Sequence, residues 1–159
     1  MPFEIRLARE ADAAALARLM NDLNLHEGKP PDAHSEASVL RDGFGPDPAF
    51  SALVAARDGE LVGYALFFPA YNTDLGARGT WLADLYVADR ERRHGTGREL
   101  VAAVAAETLR TGRESVEWAA RSENSRARAF YAAIGARDEN LRVLELDGAP
   151  LRRLAALAR

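Results

Sequence analysis

The segment Trp81–Glu107 constrains the fold of this chain more than any other part of the sequence. Its first part, Trp81–Val87, is dominated by aromatic and branched side chains, which suit a strand in a sheet. From Arg98 onward, apolar residues recur at helical spacing, so a helix follows. Residues 88–97 between them are strongly charged and contain two glycines, which ends the strand. A strand, a turn and a helix in this order predict a right-handed crossover to a second, parallel strand.

The turn before this helix has the chemistry of an anion-binding site. A helix start presents unpaired backbone N–H groups and the positive end of the helix dipole, and both attract phosphate. Gly95 and Gly97 allow a ligand to approach the backbone with no Cβ in the way, and Arg92 and Arg93 add positive charge. The turn lacks the third glycine of a dinucleotide fingerprint and the Gly-Lys-Ser/Thr of a Walker loop. A surface turn with solvated arginines is the alternative, and the turn alone does not decide between the two.

Composition narrows the class of protein further. The chain has 159 residues, which predicts a single domain over residues 1–159. It has no cysteine, which excludes disulfides, thiolate metal sites and a cysteine nucleophile. Three histidines without a chelating pattern predict no metal site, and a net charge of −3 predicts no general affinity for nucleic acid or anionic membranes. Because no apolar run is long enough for a leader or a membrane span, we expect a cytoplasmic protein.

The apolar patterns along the chain predict a mixed α/β domain with the element order β-α-α-β-β-β-α-β-α-β-α. The predicted strands are Phe3–Leu7, Phe50–Arg57, Leu61–Phe68, Trp81–Val87, Ser115–Ala120 and Leu141–Leu146. The predicted helices are Ala11–Leu25, Ser35–Arg41, Arg98–Thr111, Asn124–Ile134 and Leu151–Ala158. Ser35 is expected to cap its helix, Asp58-Gly59 predicts a tight hairpin, and Pro69–Gly79 is interpreted as a loop. The strands on either side of the hairpin and the central strand should form an antiparallel meander.

Two separate motifs resemble those of one superfamily, the GCN5-related N-acetyltransferases. Arg92-x-x-Gly95-x-Gly97, which follows an apolar strand and opens a helix, resembles the coenzyme A pyrophosphate loop of that superfamily. Asn124-x-x-Ala127-x-x-Phe130-Tyr131-x-x-x-Gly135-Ala136 resembles its second signature. The resemblance implies a central, mostly antiparallel mixed sheet with a splayed parallel pair and helices on both faces. It also implies an acyltransferase with acetyl-CoA as co-substrate and no metal.

A resemblance over nearly the whole chain implies a branch of the superfamily, the spermidine/spermine acetyltransferases with their diamine and thialysine relatives. The runs that are similar to this branch are Leu40–Gly45, Tyr64–Phe68, Leu82–Val87 and Arg142–Leu154. The branch implies a homodimer that acetylates the primary amine of a small cationic substrate, namely a diamine, a polyamine or a lysine-like amino acid. Two departures leave other substrates open: Ala83 replaces the first acid of the branch's Leu-Glu-Asp, and Asn72 replaces an acid after Tyr71. A protein, peptide or aminoglycoside amine and a non-catalytic acyl-CoA sensor are the alternatives.

The resemblance assigns site residues by position. Those implied to bind the coenzyme are Leu85, Tyr86, Val87, Arg92, Arg93, His94, Gly95, Thr96, Gly97, Arg98, Asn124, Arg126 and Tyr131. Those implied to bind the amine are Glu27, Tyr71, Asp74 and Asp84. Asn124 also fits a helix cap, and Arg126 also fits a solvated helix arginine.

Two residues are implied to be catalytic. Tyr131 matches the general acid of the family, whose phenol can protonate the leaving thiolate, although helical spacing alone places it on a core stripe. Asp84 is the candidate base, because Ala83 cannot accept a proton, and Glu27 or a water chain are its alternatives. Since strand side chains alternate, we expect Asp84 to point to the opposite face from residue 83. His26 and His34 are interpreted as surface residues near the substrate entrance.

Overall fold

The structure is a computed structural model that describes residues 3–158. The chain divides into two compact units with the boundary between Trp118 and Ala119. The first unit contains strands β1 (Phe3–Leu7), β2 (Ser51–Arg57), β3 (Glu60–Asn72), β4 (Ala77–Val87) and β5 (Ser115–Glu117), with helices α1 (Ala13–His26), α2 (Glu36–Phe44) and α3 (Thr96–Arg110). The second contains helices α4 (Ser125–Ala133) and α5 (Gly148–Ala155). Short 3-10 turns cover Glu10–Asp12 and Asp89–Glu91.

The first unit is built on one mixed sheet with the strand order β1-β2-β3-β4-β5. Strands β1 to β4 pair antiparallel, and β4 and β5 pair parallel through the crossover helix α3. The predicted meander and the predicted parallel crossover are therefore confirmed, as is the mixed α/β class. Asp58 and Gly59 form the β2–β3 turn with φ of 53° and 83°, the left-handed pair that a two-residue hairpin requires.

The sheet is covered on both faces, which explains why β2 and β3 are continuous apolar runs rather than alternating ones. On one face, Val54 and Tyr64 pack with Leu16 of α1 and Val39 of α2. On the other face, residues such as Leu53, Val62 and Leu82 pack with Leu100 and Val104 of α3. The predicted cap of α2 is confirmed, because the Ser38 N–H donates to Ser35 Oγ at 3.1 Å. These two layers fix the direction in which β4 leads into α3.

Several predicted element bounds are wrong. The last helix, for example, begins at Gly148 rather than at Leu151. The predicted loop Pro69–Gly79 is mostly the tip of the β3–β4 hairpin, in which Pro69 pairs with Thr80. Proline is tolerated there because the pairing of β3 with β2 ends at Phe67, so β3 continues as an edge. Strand β5 ends at Glu117 rather than at residue 120.

The predicted strand Leu141–Leu146 is also absent, since residues 141–146 form neither strand nor helix. A strand needs a ladder partner, and the five-stranded sheet of residues 3–158 does not include this segment. Its large apolar side chains are exposed instead, with Leu141 at 87% and Leu144 at 89%. The apolar residues that predicted a strand are therefore an exposed apolar segment in the second unit.

Candidate active site

Strand β5 ends soon after it meets β4. Their ladder covers only three residue pairs, from Gly79↔Ser115 to Trp81↔Glu117. Strand β4 then runs on from Leu82 to Val87, about 20 Å at the usual rise per residue. On its other side it still pairs with β3, for example Tyr86 with Tyr64. Within the first unit, alternate residues of this part of β4 therefore direct their backbone N–H and C=O groups away from β3, toward the side on which β5 has ended. Such an open backbone edge suits an extended ligand.

The turn that follows β4 is tied to the sheet through a buried carboxylate. Glu91 is 6% exposed and accepts from Arg57 of β2, with Nη2 at 2.5 Å from Oε1 and Nε at 3.0 Å from Oε2. The Thr96 hydroxyl donates to the same carboxylate at 3.3 Å. These hydrogen bonds, that of Arg57 above all, lower the pKa of Glu91. The charged pair thus anchors the turn and the first residue of α3 to β2.

The start of α3 has the geometry of an anion site. Gly95 caps the helix with a φ of 87°, a left-handed conformation that favours glycine. At Gly97, an added Cβ would lie 3.8 Å from Val87 Cγ2, so the glycine borders the end of β4 without crowding it. Arg93, His94 and Arg98 are exposed around this helix start. Free N–H groups, a helix dipole and exposed cations are thus brought together beside the open edge of β4.

The Arg92 side chain is held in place by three contacts with neighbouring residues. Its Nε donates to the Val87 carbonyl at 2.9 Å, and its Nη1 pairs with Asp89 at 2.6 Å. Its guanidinium also lies over the Tyr86 ring, 5.8 Å from the centroid. Arg92 therefore fixes the end of β4 relative to the turn.

A β-bulge in β4 places the candidate base. Leu66 of β3 pairs with Asp84 and the next residue, Phe67, pairs with Leu82, so Ala83 is an extra residue on β4. Strict alternation fails across such a bulge, so the expectation that Asp84 points to the opposite face from residue 83 stays a prediction. Leu82 packs on the α3 face, whereas Asp84 bonds to Tyr64, which packs on the α1 and α2 face. Ala83 itself is exposed.

Asp84 is half-buried and electrostatically perturbed. The Tyr64 hydroxyl donates to its Oδ2 at 3.1 Å. Burial raises the pKa of the Asp84 carboxyl, the hydrogen bond from Tyr64 opposes that rise, and the charge of Glu27 adds to it. Burial and the neighbouring Asp84 in turn raise the pKa of Tyr64 far above its usual range. A carboxyl group of raised pKa is a better proton acceptor than an ordinary one.

The loop after α1 brings further charges toward Asp84. Asn21 of α1 holds this loop through the backbone of His34, donating from Nδ2 to O at 2.8 Å and accepting at Oδ1 from N at 3.0 Å. The loop carries Glu27 and Lys29, which pair at 2.5 Å. Lys29 and His34 both lower the pKa of Asp84. The structure thus brings the predicted Glu27 and Asp84 into one electrostatic environment.

The other two predicted amine ligands lie elsewhere on the sheet. Tyr71 lies on β3, five residues from Leu66, the partner of Asp84, which corresponds to about 17 Å along the strand. Asp74 lies in the exposed turn at the tip of that hairpin. Asn72 has a structural role here: its Nδ2 donates to Glu117 of β5 and its Oδ1 accepts from the Leu75 N–H at 2.9 Å. An acid at position 72 could not donate to Glu117, which explains this departure from the branch.

The remaining predicted site residues lie in the second unit, on α4 and its cap. The Asn124 Oδ1 accepts from the Ala127 N–H at 3.0 Å, so the predicted cap is confirmed. Arg126 is exposed, and the ring of Tyr131 lies 5.2 Å from that of Phe130. Burial raises the pKa of Tyr131, which keeps its phenol protonated near neutral pH. A protonated phenol can act as a general acid.

Sequence reasoning missed three contributors to this site: Tyr64, Asn21 and Lys29. One feature of the sequence could have indicated Tyr64: it is a hydroxyl-bearing residue within the apolar run from Leu61 to Phe67. Its partner depends on the β3–β4 register and on the bulge, which no periodicity reveals. In the described part of the chain, no group of three or more His, Cys, Asp or Glu residues could hold a metal ion. No helix within residues 3–158 is long and apolar enough to cross a membrane.

Known proteins share both the sequence pattern and the fold. The profile of the Acetyltransferase (GNAT) family matches residues 16–136. A thialysine N-epsilon-acetyltransferase from Bos taurus is 33% identical over 164 aligned residues, which cover 95% of this chain and 96% of the relative. A solved integron cassette protein from V. cholerae superposes with a TM-score of 0.81 at 22% identity and covers 98% of both chains. An aminoglycoside N-acetyltransferase in complex with CoA superposes with a TM-score of 0.75 at 20% identity, covering 93% of this chain and 95% of that one.

The family profile and the similar proteins define an acyltransferase, and in particular an N-acetyltransferase. The chain belongs to the acetyltransferase (GNAT) family. Its curated relatives place it near the diamine and thialysine branch, so the predicted resemblances to the superfamily and to this branch are both confirmed. Members of this family use acetyl-CoA.

Proposed function

We propose that this protein transfers the acetyl group of acetyl-CoA to the primary amine of a small cationic substrate by direct attack. The observation that carries the proposal is the Asp84 carboxyl, which has a raised pKa and lies on β4 just before the open backbone edge Leu85–Val87. A proton acceptor on the strand that borders the coenzyme cleft is what amine acetylation requires, because an alkyl ammonium cannot attack before it loses a proton. The name of the thialysine relative favours a lysine-like amino acid over a diamine or polyamine.

The first unit supplies the parts that would hold acetyl-CoA, which contributes the acetyl thioester. The free N–H groups at the start of α3 and the exposed Arg93 and Arg98 would bind the pyrophosphate. Room beside Gly97 and the open edge of β4 fit an extended pantetheine arm. In the second unit, Asn124 retains the two N–H donors of its amide for the coenzyme, since its cap bond uses only Oδ1.

The proposed reaction needs three proton transfers. Asp84 accepts a proton from the substrate ammonium, with Glu27 attracting the cation, and the neutral amine attacks the thioester carbon. A backbone N–H on the open edge of β4 stabilises the developing oxyanion. When the C–S bond breaks, the Tyr131 phenol donates its proton to the leaving thiolate, and the attacking nitrogen releases its second proton to the Tyr131 phenolate, which restores the phenol. The products are the N-acetylated amine and the free thiol of coenzyme A.

We also propose how the protein is organised. The family profile covers residues 16–136 and so runs across the boundary between the two units, which supports one functional domain. The exposed apolar segment 141–157 supports a homodimer, since such segments are usually covered by a partner. The absence of cysteine is compatible with a cytoplasmic location.

A panel of amines tests the activity. Thiol release from acetyl-CoA is followed with lysine-like amino acids, diamines, polyamines, an aminoglycoside and a lysine-containing peptide. Turnover with the small amines, lost in Asp84→Asn, is the expected result. Turnover only with the aminoglycoside or the peptide would contradict the proposed substrate class. Micromolar coenzyme binding without turnover of any amine would instead indicate a sensor, which the alanine at position 83 would then explain.

A further inference from the structure

Tyr64 carries a hydroxyl group in the interior of the first unit, and packing alone does not explain why it is there. It lies in the middle of β3 with a relative exposure of 0%. Its ring packs among apolar side chains of α1, α2 and the sheet, where phenylalanine would fit equally well. Its hydroxyl, however, donates to Asp84 Oδ2 at 3.1 Å. The hydroxyl is therefore the part of the residue that needs a functional account.

The bulge brings this pair together. Tyr64 is paired with Tyr86 across the ladder, and Asp84 is paired with Leu66, so the two partners are diagonal neighbours. A diagonal contact is within reach of a long aromatic side chain. The bond holds one carboxylate oxygen, whereas an ionised carboxylate accepts at both oxygens. A carboxylate held at Oδ2 has a fixed plane and can present Oδ1 to a ligand in a defined direction.

The charged and titratable neighbours of Asp84 come from two directions. From the sheet, Tyr64 donates to the carboxylate, and the Tyr86 ring lies 6.3 Å from that of Tyr64. From the loop after α1, Glu27 disfavours the ionised carboxylate, while Lys29 and His34 favour it. Of these groups, Tyr64 is the one that is fully buried and hydrogen-bonded to the carboxylate, so its effect is the least screened by solvent.

We propose that Tyr64 is a positioning residue for acetyl transfer, whose hydroxyl orients the Asp84 carboxylate toward the substrate ammonium and keeps it ionised in the free enzyme. This inference rests on the proposed role of Asp84 as proton acceptor. Without the hydroxyl, the buried carboxyl would bind its own proton more tightly and rotate freely. At a given pH, a larger fraction of the enzyme would then hold a protonated Asp84, which cannot accept a second proton.

The first test is Tyr64→Phe, which keeps the ring and removes the bond. We expect kcat to fall by about tenfold or more, with the acidic limb of the kcat/KM profile moved about one pH unit upward, as the loss of one hydrogen bond to a charged group implies. Thr108→Val is the matched control, because Thr108 donates to Thr80 at 2.9 Å in the buried layer on the opposite face of the sheet. It should lower the melting temperature without moving the pH profile. An unchanged profile in Tyr64→Phe would overturn the proposal.

A double-mutant cycle separates positioning from a general structural effect. In the Asp84→Asn background, the further change Tyr64→Phe should alter the residual kcat less than twofold, because the two residues act as one unit. If Tyr64→Phe lowers kcat by the same factor in both backgrounds, Tyr64 does not act through Asp84.

An NMR titration without any substrate keeps the inference independent of the activity. In the wild-type protein, the Tyr64 Cζ resonance should shift with the same midpoint as the Asp84 carboxyl carbon, and in Tyr64→Phe the Asp84 midpoint should move upward. A Tyr64 resonance that ignores the Asp84 titration would refute the pair even if the variant failed to fold. A wild-type protein that acetylates no amine but shows the coupled titration would refute the proposed function and leave the Tyr64–Asp84 pairing standing.

Discussion

Replacing Gly97 by alanine should stabilise the protein and weaken coenzyme binding at the same time. Gly97 lies in the first turn of α3 and does not have a left-handed φ. The new Cβ would stand 3.8 Å from Val87 Cγ2, an ordinary van der Waals contact, so the fold accepts it. Alanine is better than glycine in a helix by about 0.5–1 kcal/mol, which raises the melting temperature of a domain of this size by roughly 1–4 °C. Gly97→Ala should therefore increase the free energy of unfolding.

The same methyl group stands where the proposed pantetheine and pyrophosphate would pass between Val87 and the start of α3. Loss of one charge-assisted hydrogen bond corresponds to about 1.5–3 kcal/mol, or roughly 10- to 150-fold in the dissociation constant of acetyl-CoA. Gly95→Ala is the contrasting variant. Its φ of 87° is costly for alanine, so it should lose about 1–2 kcal/mol of stability.

Thermal melts of the free proteins and calorimetric titration with coenzyme A measure both effects. Gly97→Ala with a higher melting temperature and weaker binding is the expected result. Wild-type affinity in Gly97→Ala would show that the ligand does not approach this helix start. A lower melting temperature would show that the space beside Val87 is not free.

Four further predictions concern the proposed general acid Tyr131, a carboxyl group introduced at position 83, the Glu91–Arg57 pair and the exposed apolar segment 141–157. Tyr131→Phe should keep the circular dichroism spectrum and coenzyme affinity but lose most turnover, and full turnover would remove its acid role. Ala83→Glu adds an exposed acid and should lower the KM of polyamines by up to about fivefold relative to a lysine-like amino acid, as measured by thiol release. Glu91 has a lowered pKa, so its contribution to the free energy of unfolding is present above the unfolded pKa near 4.3 and is lost as pH falls through the folded pKa. Glu91→Gln should therefore have a lower melting temperature than the wild type at pH 7, and its melting temperature should fall less between pH 5 and 3. An equal fall in both proteins would contradict the Arg57 anchor. Light scattering should give twice the chain mass, and Leu144→Asp, at an 89% exposed position, should give the single-chain mass if that segment is the interface.

Local chemistry made much of the fold predictable. The Asp58-Gly59 turn, the Ser35 cap and the basic turn into α3 each depend on a few neighbouring residues, and each is found as predicted. Long-range pairing was less accessible. Residues 141–146 are mostly apolar and suggest a strand, but a strand also needs a neighbour, which the local sequence cannot supply.

The candidate site shows the same division. Gly95 and Gly97 are recognisable because their chemistry is local, and the structure places both at the start of α3. The environment of Asp84 was not recognisable, because it depends on which residue of β3 lies opposite and on one extra residue in β4. Asn72 illustrates the converse: what looks like a missing acid in the sequence is a donor to Glu117 once β5 is in place.

The bulge at Ala83 sets the register in which β4 pairs with β3. Because Ala83 is the surplus residue, deleting it would leave Leu82 and every residue from Asp84 onward on their present faces, since adjacent residues of a regular strand alternate. What the deletion would remove is the bend, and the bend lies where β5 stops following β4. Position 83 therefore matters as a length of backbone more than as a side chain. A chain one residue shorter at this point would therefore keep the side chains of Asp84 to Val87 on their present faces and lose only the local bend and added twist of the bulge.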